Sequence, residues 1–157
     1  MLEAFRSLPT VTSVVAPGPL APPASRYAHD TITLGWEDRL KTRGRRCSDA
    51  GAEFGTALPR GTVLREGDRL VVDSLLLVVT VRELAEPVLV VAPRTAADWG
   101  LIGYQIGNCH QPVMLTENEI ICADCLGMEM VLRQHAIPFT RAVRPFTPVG
   151  MLADHRH

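Results

Sequence analysis

Hydrophobic and polar residues follow two different periods along this chain, and the change of period divides it. From Thr31 to Glu83, short runs rich in β-branched residues alternate with turn signals, which predicts a small all-β domain. Before it, residues 1–28 contain repeated prolines among Ala, Val and Ser, a composition typical of an extended leader. We therefore expect a leader over residues 1–28 and an N-terminal β domain over residues 29–85. The turns are expected at Asp49-Ala50-Gly51, Leu58-Pro59-Arg60-Gly61 and Arg65-Glu66-Gly67-Asp68.

Beyond Glu86, helical and strand periods alternate. Trp99, Ile102 and Ile106 recur at helical spacing, and Asp124 is placed to cap a second helix. The order strand, helix, strand, strand, helix, strand predicts a ferredoxin-like domain over residues 86–148, with both helices on one face of an antiparallel sheet. The expected elements are strand 88–91, helix 95–106, strands 113–115 and 119–122, a helix from Asp124 to Ala136, and strand 139–143. The whole is an α+β protein that ends in a flexible, histidine-bearing tail over residues 149–157.

Composition and charge limit the partners. The chain has 157 residues, 46% of them hydrophobic, and a formal net charge of −1, so it has no general attraction for nucleic acid or an anionic membrane. On a strand, the alternating cations Arg39, Lys41, Arg43 and Arg45 would share one face, with Arg46 on the other. No aromatic residue interleaves with them to stack on bases, so we interpret them as a solvated strand face.

The cysteines and the N-terminal sequence indicate the compartment. Four cysteines in a chain of this size and hydrophobicity do not make a secreted disulfide scaffold, and reduced thiols fit better. The N-terminus lacks the charged start and unbroken apolar segment of a signal peptide. The most apolar segment, Leu70–Val81, is too short to cross a bilayer as a helix. We expect a soluble cytoplasmic protein.

The best candidate chemistry is metal binding. In Gly107-Asn108-Cys109-His110-Gln111-Pro112 an apolar helical run stops and leaves a histidine at a turn, and the chain ends in His155-Arg156-His157. Imidazoles and a thiol are donors suited to Ni(II), Zn(II) or Cu(II). The sequence has no Gly-rich phosphate loop, GxSxG motif or carboxylate cluster, so we do not expect an enzyme.

Cys122-Ala123-Asp124-Cys125 leaves two alternatives open. With Cys109 and His110 across the hairpin, Cys122 and Cys125 would complete a Cys3His site, which would make the chain a zinc-stabilised binding module. Alternatively, Cys122 and Cys125 would serve a thiol oxidoreductase. The ordinary interpretation of such a pair is two partly buried, reduced thiols.

Six segments carry a family resemblance. They are RGRR, EFGTALPRGTVLREGD, EPVLVV, GYQIGNCHQP, MVLRQHA and PFTP. They occur in this order over roughly residues 39 to 157, and with them the chain resembles the UreE family of urease accessory nickel metallochaperones. The resemblance implies a cytoplasmic homodimer in which the β domain contacts partners and His110 of each subunit meets the other around one nickel ion, with His155 and His157 adding donors. It also implies the urease accessory GTPase and the urease apoprotein as partners.

The chain departs from the family pattern at identifiable positions. Cys109 stands where an arginine is usual, and Cys125-Leu126-Gly127 replaces a helix-start Asp-x-His that forms a second metal site in some members. We expect no such second site, and keep Cys109 and Cys125 as possible accessory ligands. The tail has two histidines, fewer than many members carry, which favours transfer of Ni(II) cargo over storage. Zn(II) or Cu(II) are expected as possible substitutes in vitro.

Overall fold

The computed structural model describes residues 8–148. The described part of the chain forms two compact units. The break falls between Glu83 and Leu84, close to the boundary expected after residue 85. The predicted mixed α+β class is confirmed.

The first unit is built from two small sheets over its described residues. One has the strand order β1-β4-β3 and the other the order β2-β6-β5. Their apolar faces form one core that includes Phe54, Leu64, Leu70 and Val79, each fully buried. The strands are β1 (Thr10–Val11), β2 (Ala28–Leu34), β3 (Arg43–Cys47), β4 (Glu53–Ala57), β5 (Arg69–Val72) and β6 (Leu77–Glu83), and helix α1 spans Trp36–Leu40.

The described part of the expected leader belongs to this unit. Strand β1 pairs in parallel with β4, and Val11 is buried in the core. The close approach of β1 to β4 depends on Gly55. Its N–H donates to the Pro9 carbonyl at 2.8 Å, and a Cβ at this position would lie 3.1 Å from Thr10 Oγ1. The proline-rich composition of this segment therefore does not prevent Val11 from being buried in the core of the first unit.

Arg39 corrects the expectation of four cations on one strand face. It lies in α1 and its side chain is fully buried, where Nη1 is 2.8 Å from Glu83 Oε1. On β3 itself, Arg43 and Arg45 share the exposed face and Arg46 is buried on the other, as predicted for Arg46. The alternating cations predicted the strand correctly only from Arg43 onward, because Arg39 lies in helix α1.

The second unit has the predicted ferredoxin-like topology. Its sheet has the antiparallel strand order β10-β7-β9-β8, and both helices pack on the face that carries Leu89 and Cys122. A Cα register of Val113 with Cys122 confirms the predicted hairpin. The elements are β7 (Ala85–Val91), α2 (Ala96–Gly107), β8 (Val113–Leu115), β9 (Ile120–Ala123), α3 (Leu126–Gln134) and β10 (Thr140–Pro145).

The start of α3 differs from the prediction by one residue. Its N-cap is Cys125, not Asp124, and the Cys125 side chain makes no capping hydrogen bond. Asp124 is engaged elsewhere, since its Oδ2 accepts a hydrogen bond from Arg141 Nε at 3.0 Å and its N–H donates to the Pro87 carbonyl. A cross-sheet ion pair thus takes the carboxylate that local sequence rules assign to the helix. Within residues 8–148, no helix is long and apolar enough to cross a membrane.

Replacing Glu83 by Gln should destabilise the first unit, because it removes the carboxylate that is paired with the buried Arg39 guanidinium. We expect a loss of about 2 kcal/mol or more in the free energy of unfolding, measured by urea denaturation. The matched control is Glu53→Gln, which breaks the exposed Arg45–Glu53 pair and should cost under about 1 kcal/mol. Equal effects of the two substitutions would contradict the assignment.

Candidate metal site

Helix α2 fixes the position of the candidate ligand His110. At its N-terminus, the Thr95 hydroxyl accepts from the Asp98 N–H at 3.1 Å and Asp98 Oδ2 accepts from the Thr95 N–H at 3.0 Å, forming a reciprocal capping box. Hydrogen bonds from the backbone N–H groups of Arg94 and Thr95 hold the pKa of Asp98 below its usual value. Ile106, at the other end of the helix, is buried in the core. The helix is therefore anchored at both ends.

His110 lies in a tight turn directly after α2. The Cys109 N–H donates to the Ile106 carbonyl at 3.0 Å, and the His110 N–H donates to the Gly107 carbonyl at 3.1 Å. Both bonds join residues three apart, the tighter spacing that is common where an α-helix ends. His110 has a φ of 52°, the left-handed conformation, and is exposed. A left-handed non-glycine residue costs about 1 kcal/mol or more, and here it turns the chain toward β8 while leaving the imidazole outside the core.

Cys109 faces the helix, not solvent. It is half-buried against the core of the second unit, and its Sγ lies 3.3 Å from the Gln105 carbonyl oxygen, to which the thiol donates. To bind a metal, this thiol would have to leave that hydrogen bond and lose its proton. Its role as an accessory ligand stays a prediction.

The CxxC pair contains two different thiols. Cys122 is fully buried on β9, and burial, with smaller contributions from Cys125 and Cys109, raises the pKa of its thiol to about 12. Cys125 is exposed at the start of α3. Because the thiolate is both the nucleophile and the metal ligand, a thiol such as Cys122 is poorly suited to either role. Neither the zinc module nor the oxidoreductase is supported by this arrangement.

The described chain also brings no predicted ligand set together. Within residues 8–148, no group of three or more His, Cys, Asp or Glu side chains is arranged to hold a metal ion, so the Cys3His combination is not assembled. His155 and His157 lie outside the described residues. His110 and Cys125 are thus the predicted ligands whose exposure within the described range leaves them available to donors from elsewhere.

Both helices of the second unit expose large apolar side chains that the sequence analysis did not single out. Leu101 and Tyr104 on α2 are 63% and 65% exposed, and Leu126 and Met130 on α3 are 74% and 60% exposed. The signal was present in the sequence, because α2 carries apolar residues on the side opposite Trp99, Ile102 and Ile106 as well. A helix that is apolar on two sides indicates a second contact surface. We call these four residues the helical apolar surface.

Comparisons with known proteins match both units. Residues 12–82 match the sequence model of the UreE urease accessory protein, N-terminal domain, and residues 86–157 match that of its C-terminal domain. The urease accessory protein UreE of Bacillus cereus is 30% identical over 82% of this chain and 84% of its own length. That of Staphylococcus carnosus is 34% identical over 82% of this chain and 85% of its own.

These matches, with a β unit followed by a ferredoxin-like unit, define the class as urease accessory proteins. A third relative, UreE of Burkholderia thailandensis, is 34% identical and covers 94% of this chain and 70% of its own length. The chain belongs to the UreE family. The resemblance drawn from six short segments is confirmed.

The burial of Cys122 predicts its reactivity. With a pKa near 12, roughly one Cys122 thiol in ten thousand is ionised at pH 8, so iodoacetamide should leave it unmodified in the native protein. The exposed Cys47 and Cys125 should be alkylated under the same conditions. Cys109, Cys122 and Cys125 lie on one tryptic peptide, residues 95–133, so fragmentation by tandem mass spectrometry is used to locate the label. Labelling in denaturant, where all four cysteines should react, is the control. Native labelling of Cys122 as fast as Cys47 would refute its burial.

Proposed function

We propose that this chain is a nickel-binding metallochaperone that delivers Ni(II) for assembly of the urease active site. The observation that carries the proposal is His110, an exposed imidazole held in a left-handed turn at the anchored end of α2, in a chain of the UreE family. Imidazole nitrogen is a good ligand for Ni(II). Ni(II) is the cargo, and Zn(II) or Cu(II) could occupy the same donors in vitro.

A single imidazole binds weakly, so the proposal includes a homodimer. The helical apolar surface, with Leu101 and Tyr104 on the helix that precedes His110, is the surface that a second copy would cover. If two copies meet there, each contributes His110 from the end of the contacting helix. The second imidazole then acts at an effective concentration that can reach the millimolar range. Two histidines on one ion bind tightly enough to capture it, and separation of either one releases it.

The tail histidines can reach this site by chain length alone. The Thr147 N–H donates to Met114 Sδ at 3.4 Å, so the described chain ends beside β8. Met114 is close in sequence to His110, and their Cα atoms are at most roughly 14 Å apart. The seven residues that follow Pro148, up to and including His155, can extend up to roughly 25 Å. His155 and His157 are therefore proposed as additional, exchangeable donors.

Delivery requires partners, because the sequence has no phosphate-binding loop with which to use nucleotide energy. The proposed partners are the urease accessory GTPase and the urease apoprotein complex, and the proposed compartment is the cytoplasm, where the thiols stay reduced. Membership of a family of urease accessory proteins supports this role.

The imidazole of His110 should be essential for tight nickel binding. His110→Ala removes two donors from each proposed dimer, so the nickel affinity measured by isothermal titration calorimetry should fall by at least about tenfold. His110→Gly is the second variant, since glycine accepts the left-handed φ and preserves the turn.

Circular dichroism and thermal unfolding check that both variants are folded. Wild-type nickel affinity in a folded His110→Gly protein would refute the proposed site. Loss of binding in both variants, with the glycine protein at least as stable as the alanine protein, is the expected result.

Deletion of residues 151–157 tests the tail. The deletion removes both tail histidines and should leave the unfolding temperature unchanged while it lowers nickel affinity or stoichiometry. Native mass spectrometry with nickel counts bound ions per dimer, and His155→Ala/His157→Ala in the full chain is the matched control for tail length. Unchanged stoichiometry and affinity in both proteins would exclude the tail as a ligand arm.

A further inference from the structure

The outer face of the β1-β4-β3 sheet carries a pocket that the metal-binding role does not use. Phe54, Thr56 and Arg46 alternate toward the buried side, so Arg43 and its cross-strand partner Ala57 face outward. The pocket has a volume of about 410 Å3 and is lined by Thr12, Thr42, Arg43, Pro59 and Arg60, among others. It lies where β1 and β4 end and β3 begins.

Two arginines line this pocket without a counter-charge. Among residues 8–148, neither Arg43 nor Arg60 makes a side-chain hydrogen bond or ion pair, and both are exposed. The neighbouring Arg45 differs, because its guanidinium binds both carboxylate oxygens of Glu53 at 2.8 Å. No acidic residue is found in the pocket lining that the structure describes. The pocket therefore favours an anion, and two guanidinium groups suit a carboxylate.

Beside the pocket, β3 is an edge strand whose outer backbone groups are available. Its sheet partner is β4, and the flanking bonds from Leu58 N–H to the Thr42 carbonyl and from Ser48 N–H to the Ala52 carbonyl fix the ladder. Because hydrogen-bonded positions alternate in an antiparallel pair, the N–H and C=O groups of Arg43, Arg45 and Cys47 point away from β4. Within the described chain, no turn or loop backbone hydrogen-bonds to these three residues.

We propose that this edge and pocket form a docking site for an extended acidic segment of a partner protein. The segment adds as a strand beside β3, and an acidic side chain on its outer face lies opposite Arg43, with its carboxylate in the Arg43–Arg60 pocket. A polypeptide fits better than a nucleic acid, because the free backbone edge matches another strand and no aromatic residue lines the described pocket for base stacking.

The test uses the full-length chain and a fluorescein-labelled peptide of about eight residues in which glutamate alternates with threonine. Fluorescence anisotropy should show binding that weakens with salt, and Arg43→Ala/Arg60→Ala should weaken it by at least about tenfold. The matched control is Arg26→Ala/Arg65→Ala, which removes two exposed arginines outside the pocket and should change affinity by less than about twofold.

Two further probes separate the backbone contribution from the charge. A peptide N-methylated at alternate residues keeps its carboxylates but loses N–H donors to the edge, and its affinity should fall by at least about tenfold. An oligonucleotide of equal charge should bind more weakly than the peptide. Equal binding of the N-methylated peptide, stronger binding of the oligonucleotide, or equal sensitivity to the two arginine pairs would each overturn the proposal.

This site extends the proposed delivery role by giving the first unit a class of partner. The Arg43→Ala/Arg60→Ala protein should bind nickel as the wild type does, because His110 belongs to the second unit. A failure of peptide binding with intact nickel binding therefore rejects the docking site alone, and the reverse result rejects the nickel site alone.

Discussion

Burial of β7 on both faces is the constraint on which the second unit depends. Val88, Leu89, Val90 and Val91 are all buried, and the strand is hydrogen-bonded to β10 on one side and β9 on the other. Leu89 and Val91 pack against the helices, so α2 must return across that face. The path of α2 then sets where His110 emerges. The exposed candidate ligand His110 is thus positioned by the buried residues of β7. That strand is fixed in place because a buried strand tolerates neither a shift of its register nor an unpaired edge.

The first unit separates stability from recognition in a similar way. Its inner side contains the apolar core and the buried Arg39 paired with Glu83, whereas the outer face carries Arg43 without an ion pair, beside Arg45, which is paired with Glu53 of β4. A buried charge requires its partner, so Arg39 is fixed in place. Exposed charges lose little by exchanging water for a ligand, so Arg43 and Arg60 can take part in binding without cost to the fold.

Local signals predicted most of the second unit. Thr95 and Asp98 form the expected start of α2, and the strands around Thr116-Glu117-Asn118 pair as a hairpin. Prediction failed where a distant partner competes with a local preference. Asp124 binds Arg141 and so does not cap α3, and Arg39 is buried against Glu83 and so is not on a solvated strand. Such competition cannot be read from neighbouring residues, because both partners of each pair are far apart in the chain.

The sequence by itself determined the order of elements, the family and the supply of imidazole donors, since periodicity, caps and motifs are properties of short segments. Only the tertiary structure decided which side chains those segments leave usable. It buried Cys122 and raised its pKa, kept Cys109 against α2, and brought Arg43 and Arg60 to one pocket. The physical reason is that desolvation and charge pairing depend on neighbours in space, and those are set by the packing of strands and helices that lie far apart in sequence.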